Sequence, residues 1–441
     1  MPILQLALDF ADLKRALQVA QEAAPYVDWI EAGTPLIKSE GLNAVRELRK
    51  RFPGKKIVAD MKIADTGAFE VEMAAKAGAD VVTVMAVADD STIREAVGAG
   101  RRLNAKIMAD FLGVIDVKKR AQELKALGVD YANLHTGIDQ QMKGMSVFKL
   151  LEKFPKQMPF ALAGGIDVKT APQAAATGAD VIIVGGSITK AANPAKAAKE
   201  IRDAISKAKT ISKKKVSEGA EVEGGDNFIR KVFSQVSTPN IADAMQRSGV
   251  MVGIKPIVPG AKMVGRAVTV RTFAGDWAKA VEAIDLAKEG EVIVVETGGS
   301  AGRHGDRAVW GELATHSAAR KKLAGIVIDG GIRDVDVIRQ LRFPAFARYI
   351  TPNAGDPKGL GEIGVEVKCG GLKIMPGDWV IGDDNGVAVV PAERAAEVAN
   401  RAKYTLETEN RVREEIRRGS TLGKVLQLGK WEQFFVKEKK S

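Results

Sequence analysis

The sequence predicts an α/β protein: a (β/α)8 barrel of the TIM type, followed by a compact α/β domain around a mixed sheet or sandwich. Three observations lead to this prediction. Eight short apolar runs recur in the first half, amphipathic stretches separate them, and one polar segment divides the chain. Buried parallel strands are short and rich in β-branched residues. The alternative for the first half is an open doubly wound sheet, and the count of eight favours the barrel.

The joins that lead into three of the predicted strands repeat one pattern. A helix ends at a glycine and the next strand begins two residues later, at Asp80, Asp130 and Asp180. The eight predicted strands are ILQLALD (3–9), VDWIEAG (27–33), KIVADMK (56–62), DVVTVMA (80–86), KIMADFL (106–112), VDYANLH (129–135), PFALAGG (159–165) and DVIIVGG (180–186).

A polar segment rich in Lys, Glu, Gly and Ser, KAKTISKKKVSEGAEVEGGDN, lacks apolar periodicity and predicts an exposed linker. We therefore expect a barrel over 1–209, a basic, glycine-rich linker over 210–227 and a second domain over 228–441 with a helical tail. In the second domain Asp384-Asn385-Gly386 predicts a hairpin. Helices are expected over 239–249, 276–288, 310–323 and 392–418, among strands over 261–273, 291–297, 324–330 and 378–391.

Composition limits the class of protein. The only cysteine, Cys369, cannot form an intrachain disulfide, the first residues have no basic region before their apolar stretch, and no run of 18 apolar residues occurs. We therefore expect a cytoplasmic protein without a membrane span. The net charge of +11 is partly local. Few aromatic residues accompany it, so we expect anionic small substrates and no nucleic-acid partner. The basic segment contains Lys207, Lys209, Lys213, Lys214 and Lys215.

Polar residues stand at the carboxyl ends of several predicted strands, where barrels of this type place their active sites. Strand one ends in Asp9, strand two contains Glu31, strand five contains Asp110 and strand six ends in His135. We expect these side chains to converge on one mouth of the barrel.

Strand three ends in a run of alternating charge. Asp60 and Lys62 are two residues apart, so both should point into the barrel, and Asp65 begins the next loop. Neighbouring aspartates favour the protonated form of Lys62, which predicts a fixed cation instead of an imine-forming lysine. The oxygen ligands Glu31 and Asp60 suit Mg²⁺, or Mn²⁺ in its place. The alternative is a purely structural ion-pair network.

Two glycine pairs follow strands seven and eight, Gly164-Gly165 and Gly185-Gly186. Their backbone N–H groups can approach a phosphate closely, and this is the usual phosphate site of the fold. Plain turns are the alternative.

The spacing Asp60-x-Lys62-x-x-Asp65 resembles the motif of the orotidine monophosphate decarboxylase superfamily. Within it, residues 1–209 resemble 3-hexulose-6-phosphate synthases. That resemblance implies a reversible aldol condensation of formaldehyde with ribulose 5-phosphate to arabino-hex-3-ulose 6-phosphate. The matching stretches are 76–93, 110–124, 133–141 and 162–170.

The resemblance also implies a role for each residue. A metal holds the carbonyl and hydroxyl oxygens of the substrate, and His135 removes the C1 proton. Lys62 stabilises the resulting enediolate, Asp65 orients Lys62, and Asp110 holds or polarises the aldehyde. In the superfamily the residue at Asp65 reaches across a subunit interface, so a homodimer is implied.

Two sister activities are the alternatives for the barrel. Orotidine monophosphate decarboxylases work without a metal, and an acid at Glu31 beside a metal site argues against that activity. Ketogulonate-phosphate decarboxylases carry an arginine a few residues after the strand-six histidine. Here His135 is followed by Thr136-Gly137-Ile138-Asp139, which contains no arginine.

Two segments of the second domain carry chemistry, residues 296–318 and residues 328–338. They resemble the family that contains the regulator of ribonuclease E activity and the 4-hydroxy-4-methyl-2-oxoglutarate aldolases, over about residues 228–400. The resemblance implies that Arg333 holds a pyruvate-like carboxylate and that Asp334 binds Mg²⁺. Glu312 fits the spacing of an acidic residue ahead of Arg-Asp, although many enzymatic members carry Asp or Gly there.

Three hypotheses for the second domain remain open at this point. It is a metal-dependent 2-oxoacid aldolase or decarboxylase, a non-catalytic binding module that regulates a ribonuclease, or an element that only drives assembly beyond a dimer.

Overall fold

A computed structural model describes residues 1–207, 225–298 and 307–426 of the 441. Their residues form two compact units, one of 1–207 with 410–426 and the other of 225–409. The predicted linker lies largely outside the described residues, as do four of the five lysines of the basic segment, so the predicted domain boundaries stay predictions. In the described part of the chain, no helix is both long and apolar enough to span a membrane.

The first unit contains a closed barrel of eight parallel strands in sequence order, with the eighth strand pairing with the first. This confirms the predicted barrel. The strands are β1 (Ile3–Leu8), β2 (Trp29–Ala32), β3 (Lys56–Ile63), β4 (Val81–Met85), β5 (Lys106–Asp110), β6 (Tyr131–His135), β7 (Phe160–Ala163) and β8 (Val181–Val184).

Helices connect successive strands and surround the barrel. They are α1 (Leu13–Ala23), α2 (Thr34–Glu40), α3 (Asn43–Arg51), α4 (Gly67–Lys76), α5 (Asp90–Leu103), α6 (Val117–Leu127), α7 (Ile138–Met142), α8 (Val147–Glu152), α9 (Ala171–Ala176), α10 (Gly186–Thr189) and α11 (Pro194–Lys207).

The barrel has a large apolar core between its strands and helices and a smaller one inside its strands. The inner core includes Val58, Val81, Met108 and Val181. Nearer the carboxyl ends of the strands, buried polar side chains replace the apolar ones. Burial of polar groups is unfavourable unless they find partners, so this polar layer indicates a site. Its members are Gln5, Glu31, Asp60, Thr83, Asp110 and Asn133.

At the opposite end of the barrel, the same contact occurs four times. An aspartate stands directly before each even-numbered strand and binds the first or second residue of the preceding odd-numbered strand. These aspartates are Asp28, Asp80, Asp130 and Asp180. Each carboxylate accepts a hydrogen bond from a backbone N–H at 2.7–2.9 Å. Each aspartate N–H is donated to the carbonyl of that same residue at 2.8–3.0 Å. We call this two-way contact the aspartate clasp; the partners are Leu4, Ile57, Ile107 and Phe160.

The second unit is built on a mixed sheet, as predicted, in which four parallel strands are flanked by antiparallel ones. The hairpin at Asp384-Asn385-Gly386 is confirmed. The strands are β9 (Lys255–Pro256), β10 (Met263–Arg271), β11 (Val292–Glu296), β12 (Gly325–Ile332), β13 (Ala345–Ile350), β14 (Glu362–Ile363), β15 (Val367–Cys369), β16 (Leu372–Ile374), β17 (Trp379–Asp383) and β18 (Gly386–Val390). The path across the sheet is β18-β17-β10-β11-β12-β13-β9, and β14 adds to β10.

Helices cover one face of the parallel strands and pack on an apolar core that includes Ile293, Ile326 and Ile328. Cys369 is buried on the other face, and burial raises the pKa of its thiol. The remaining helices are α12 (Asp226–Gln235), α13 (Thr238–Ala244), α14 (Ala278–Leu286), α15 (Glu312–Arg320), α16 (Val335–Gln340), α17 (Ala395–Arg417) and α18 (Leu422–Val425).

Candidate active site

The centre of the polar layer is an irregularity in β3. The register between β3 and β4 pairs Ala59 with Val82 and Ile63 with Val84, so three residues of β3 stand opposite the single residue Thr83. Within this bulge Lys62 has φ of 49°, a left-handed conformation that is uncommon for a lysine. The prediction that Asp60 and Lys62 both point into the barrel rested on regular strand alternation, which the bulge interrupts. They meet because the strand bulges.

The Lys62 ammonium lies between two carboxylates. Its Nζ is 3.0 Å from Asp60 Oδ2 and 2.7 Å from Asp110 Oδ2. Burial lowers the pKa of Lys62, but the two carboxylates raise it by more, so its pKa lies above the ordinary value for lysine. Lys62 is thus a fixed cation, as expected, although its second carboxylate is Asp110 and not Asp65.

Asp110 connects the lysine to the histidine. Its side chain has no exposed surface, and its Oδ2 lies 2.9 Å from Nδ1 of His135 while its Oδ1 accepts from the Leu112 N–H. Burial raises the pKa of Asp110, but the hydrogen bond from His135 and the charge of Lys62 lower it to about 2. Because an ionised carboxylate only accepts hydrogen bonds, Nδ1 of His135 carries a proton, so that in the neutral imidazole the lone pair lies on Nε2.

Two threonines, which the sequence analysis missed, hold the carboxylate of Asp60. Thr34 at the start of α2 donates to Oδ2 at 2.6 Å, and Thr83 in β4 donates to Oδ1 at 2.7 Å. The available signal was a polar residue amid the apolar strand VVTVM, since Thr83 is a polar residue facing the inside of a barrel.

Asp9 and Glu31 add negative charge to the same mouth. Burial, Asp60 and Asp9 raise the pKa of Glu31 well above its ordinary value, and Gln5 Nε2 donates to its Oε2. The pKa of Asp9, at the solvent-facing rim, is raised by the protein packed around it and by Asp60. A Cβ on Gly33 would lie 2.3 Å from Asp9 Oδ1 and 2.9 Å from the carbonyl oxygen of Leu8, which favours glycine there. The raised pKa values of Asp9 and Glu31 come first from burial and then from the neighbouring carboxylates.

This donor set fits a divalent cation. Within the described ranges no group of three or more acidic, His or Cys side chains forms a complete metal cage. Mg²⁺ does not require one, because it commonly takes one or two carboxylates and fills its remaining positions with water and substrate oxygens. Asp60 has about four acceptor positions and uses three of them on Thr34, Thr83 and Lys62. Asp60 and Glu31 are therefore the residues that could hold the ion.

The two glycine pairs lie where the sequence predicted them, after β7 and β8. Gly164 and Gly165 have φ of 110° and 70°, and a Cβ on Gly164 would lie 2.3 Å from the carbonyl oxygen of Thr136. A Cβ on Gly186 would lie 3.8 Å from Nζ of Lys190, a cation that the sequence analysis did not select. Gly164 thus packs closely against the Thr136 backbone, and Lys190 adds positive charge beside Gly186.

Asp65 lies apart from this network within one chain. It is exposed, and its Oδ1 accepts from the N–H of Thr66 at 2.7 Å. The described contacts of Lys62 go to Asp60, Asp110 and Thr83 instead. The contact of Asp65 with Lys62 across a subunit interface stays a prediction.

In the second unit, Arg333 and Asp334 follow β12 as predicted. Arg333 Nε is 3.3 Å from Asp334 Oδ2, which also accepts from the Glu312 N–H at 3.2 Å. Asp334 has φ of 53°, and a Cβ on Gly311 would lie 2.5 Å from its Oδ2. Glu312 begins α15 and its Oε1 lies 3.8 Å from Nε2 of His316. Part of the predicted glycine-rich segment, residues 299–306, lies outside the described residues.

Comparison with known proteins assigns the two halves separately. Residues 2–201 match the sequence model described as Orotidine 5'-phosphate decarboxylase / HUMPS family, and residues 238–389 match the one described as Aldolase/RraA. The 3-hexulose-6-phosphate synthase of Mycobacterium gastri is 46% identical over 204 residues, which are 46% of this chain and 99% of that protein. The Bacillus subtilis (strain 168) protein of the same name is 42% identical and is covered over 98% of its length.

A solved structure of a 3-hexulose-6-phosphate synthase is 46% identical, covers 46% of this chain and 99% of its own, and superposes with a TM-score of 0.45. Since the first half of the chain spans nearly the whole length of such relatives at more than 40% identity, the chain belongs to the 3-hexulose-6-phosphate synthase family, with an Aldolase/RraA region fused behind the barrel.

Proposed function

We propose that the barrel catalyses the reversible aldol condensation of formaldehyde with D-ribulose 5-phosphate to arabino-hex-3-ulose 6-phosphate. The observation that carries the proposal is the Lys62 ammonium, held between Asp60 and Asp110 and linked through Asp110 to a histidine with a free ring nitrogen. Family membership supports the same reaction, because the relatives carry the name of that enzyme.

The base in this proposal is Nε2 of His135. It takes the proton from C1 of ribulose 5-phosphate, and the electron pair of the broken C–H bond forms the C1–C2 double bond of an enediolate. As the C2 carbonyl re-forms, the electron pair of the C1–C2 double bond forms the new bond from C1 to the carbon of formaldehyde. The π bond of formaldehyde breaks, and its oxygen takes the proton held on Nε2 of His135. The Nδ1–Asp110 hydrogen bond fixes the tautomer that leaves Nε2 basic.

Lys62 stabilises the negative charge that develops on the substrate oxygens, since its ammonium stays protonated and already points into the mouth. The two oxygens of Asp110 are taken by Lys62, His135 and Leu112, and its side chain is fully buried. These contacts favour a role for Asp110 in orienting Lys62 and His135 over direct contact with the aldehyde.

Glu31 and Asp60 would hold Mg²⁺ or Mn²⁺, which when bound supplies extra positive charge to the carbonyl and hydroxyl oxygens of the substrate. Asp9 lies beside this pair, and its carboxylate is positioned between Gly33 and Gly185. Asp9 would accept hydrogen bonds from substrate hydroxyl groups. The backbone of Gly164, Gly165, Gly185 and Gly186 would hold the phosphate.

We also propose that the barrel forms a homodimer. Asp65 is exposed, and on the adjacent α4 the large apolar side chains of Phe69 and Met73 are 66% and 41% exposed. An apolar patch next to Asp65 suits a second copy of the barrel, which would bring its Asp65 to Lys62.

The test is an assay of formaldehyde consumption with ribulose 5-phosphate and Mg²⁺. Lys62→Ala should lower kcat by about 10²–10³-fold, the usual loss for one preorganised donor to a developing oxyanion. The matched control is Lys119→Ala, which removes an exposed lysine of α6 that pairs with Glu123. Full activity of Lys62→Ala, or full activity after removal of divalent ions by a chelator, would contradict the mechanism.

For the second unit we propose a metal-dependent 2-oxoacid lyase. The observation that favours it is the pair of Arg333 and Asp334, which are 42% and 36% exposed at the end of β12. Arg333 would hold the carboxylate of the substrate. Asp334 would hold Mg²⁺, and its described contacts all use Oδ2, so Oδ1 faces no described partner.

Oxaloacetate with Mg²⁺ is the probe for this unit, used on the full chain. Asp334→Ala should abolish pyruvate release while leaving formaldehyde consumption by the barrel unchanged, and Asp336→Ala serves as the neighbouring control. The lyase proposal would be contradicted if the wild-type chain released no pyruvate, or if Asp334→Ala released as much as the wild type. The second unit would then be a regulatory binding module or an assembly element.

A further inference from the structure

The bulge of β3 has one partner on β4. Because the register jumps from Ala59–Val82 to Ile63–Val84, residues 60–62 face only Thr83 across the strand pair. A bulge of this kind leaves backbone groups without their usual ladder partners. Something other than the ladder must therefore hold Lys62 in its left-handed conformation, which an L-residue rarely adopts.

The side chain of Thr83 does this. Its Oγ1 accepts a hydrogen bond from the backbone N–H of Lys62 at 3.0 Å and donates one to Asp60 Oδ1 at 2.7 Å. A hydroxyl has one donor and two acceptor positions, so both bonds are made at once. Thr83 is 3% exposed, which keeps water from competing for either bond.

We propose that Thr83 is a positioning residue for the barrel reaction: its hydroxyl holds the β3 bulge and thereby places the Lys62 ammonium against Asp60 and Asp110. The inference rests on the proposed function of the barrel for its catalytic consequence. Its structural content, that one hydroxyl fixes the backbone of Lys62 and the carboxylate of Asp60 together, does not.

Thr34 provides a comparison within the same site. Its hydroxyl lies 2.6 Å from the other carboxylate oxygen of Asp60 and 2.8 Å from the Asp60 carbonyl oxygen, and its one proton serves these two acceptors. Thr34 has no described contact with Lys62. Loss of the Thr34 hydroxyl would loosen Asp60 alone. Loss of the Thr83 hydroxyl would loosen Asp60 and free the Lys62 backbone.

The experiment compares Thr83→Val, Thr83→Ser and Thr34→Val in the full chain. Thr83→Val keeps the shape and removes the hydroxyl, and should lower kcat by about 10²-fold through misplacement of the ammonium, with KM for ribulose 5-phosphate within about threefold. Thr83→Ser restores the hydroxyl and should recover most of kcat. Thr34→Val should lose less than Thr83→Val. Thr177→Val, which removes a hydroxyl at the opposite end of the barrel, should match the wild type.

Crystal structures of Thr83→Val and Thr83→Ser give a readout that needs no substrate. Loss of the positive φ at Lys62, or of its contact with Asp60, in the valine variant but not in the serine variant supports the inference. An unchanged bulge in Thr83→Val, an unchanged kcat in that variant, or a serine variant as impaired as valine would overturn it. If Thr83→Val does not fold, Thr83→Ala takes its place with the same expectations.

The two proposals fail in distinguishable ways. A wild-type chain that neither consumes formaldehyde nor exchanges the C1 hydrogen of ribulose 5-phosphate with D₂O contradicts the proposed reaction. The crystallographic comparison still decides whether Thr83 holds the bulge.

Discussion

Both units present a charged residue in the left-handed conformation within, or a few residues after, a register shift between two parallel strands. In the barrel the shift lies between Ala59 and Ile63 and the residue is Lys62; in the second unit the shift lies between Ile328 and Gly331, and the residue is Asp334, just past the end of β12. The two settings differ in burial. The side chain of Lys62 is 21% exposed and that of its partner Asp110 is fully buried, whereas Arg333 and Asp334 are 42% and 36% exposed.

The difference shows that the number of neighbouring strands determines how firmly a charged side chain is held in place. In the closed barrel, strands approach from both sides, so Lys62 meets carboxylates from β3 and β5 and a hydroxyl from β4. Its geometry is set before substrate arrives, at the cost of burying charge. In the open sheet, the described side-chain contacts of Asp334 are with Arg333 and the Glu312 N–H, so its position is less constrained.

The largest expected effect comes from breaking the barrel network. Asp110→Asn leaves Lys62 with one carboxylate, and its single amide oxygen cannot replace both carboxylate oxygens of Asp110. Removing one partner of a buried ion pair typically costs about 3–5 kcal/mol. The free energy of unfolding of the barrel should decrease by an amount near the lower end of that range, because Asp60 still pairs with Lys62. Hydrogen exchange of barrel peptides measures it. A decrease below about 1 kcal/mol would mean that this buried pair stabilises the barrel no more than an exposed ion pair does.

Acid should weaken the barrel through the same residue. Asp110 has a folded pKa of about 2 against an ordinary value of 3.8. Its contribution is therefore fully present above pH 4 and is lost as the pH falls toward 2, and it amounts to about 2 kcal/mol. The slope of barrel stability against pH over this interval should be smaller in Asp110→Asn than in the wild type. Equal slopes in the two proteins would argue against the assignment.

A smaller effect is expected at the end of the barrel that carries the aspartate clasp. Asp80→Ala removes the acceptor of the Ile57 N–H and the ion-pair partner of Arg49, and should lower the free energy of unfolding by about 1–2 kcal/mol. Asp203→Ala, which removes an exposed charge from α11, is the control and should stay within about 0.5 kcal/mol. Formaldehyde consumption should be unchanged in both variants at a temperature where both are folded.

The smallest effect is expected in the open sheet. Asp334→Asn keeps an acceptor and a residue type that tolerates positive φ, and it weakens only a half-exposed pair. Stability should change by less than about 0.5 kcal/mol, even though Mg²⁺-dependent cleavage of oxaloacetate should be lost. A stability loss matching that of Asp110→Asn would erase the contrast between the two units.

Much of the architecture could be predicted from the sequence because it follows from periodic patterns. Eight β-branched runs gave the eight strands, and Asp384-Asn385-Gly386 gave the hairpin. The short strands β9 and β14–β16, and also β13, were missed. Two to six residues of mixed polarity carry little periodicity, and their pairing is set by distant strands.

The site could be predicted in its members but not in its connections. Residues at strand ends were identified because a barrel brings those ends together, and Asp60, Lys62, Asp110 and His135 do meet. The bulge of β3 could not be foreseen, since it depends on the register with β4. Thr83 was missed for the same reason: its hydroxyl matters only because three residues face it.

The aspartate clasp at the far end of the barrel has a consequence for how the barrel divides. Each clasp joins two consecutive strands, β1 with β2, β3 with β4, β5 with β6 and β7 with β8. A break in the chain after β2, β4 or β6 leaves all four clasps within intact pieces, whereas a break between β3 and β4 separates Asp80 from Ile57. The barrel thus consists of four pairs of consecutive strands, each held at this end by its own aspartate clasp. Split or circularly permuted chains opened between pairs should reassemble more readily than those opened within one.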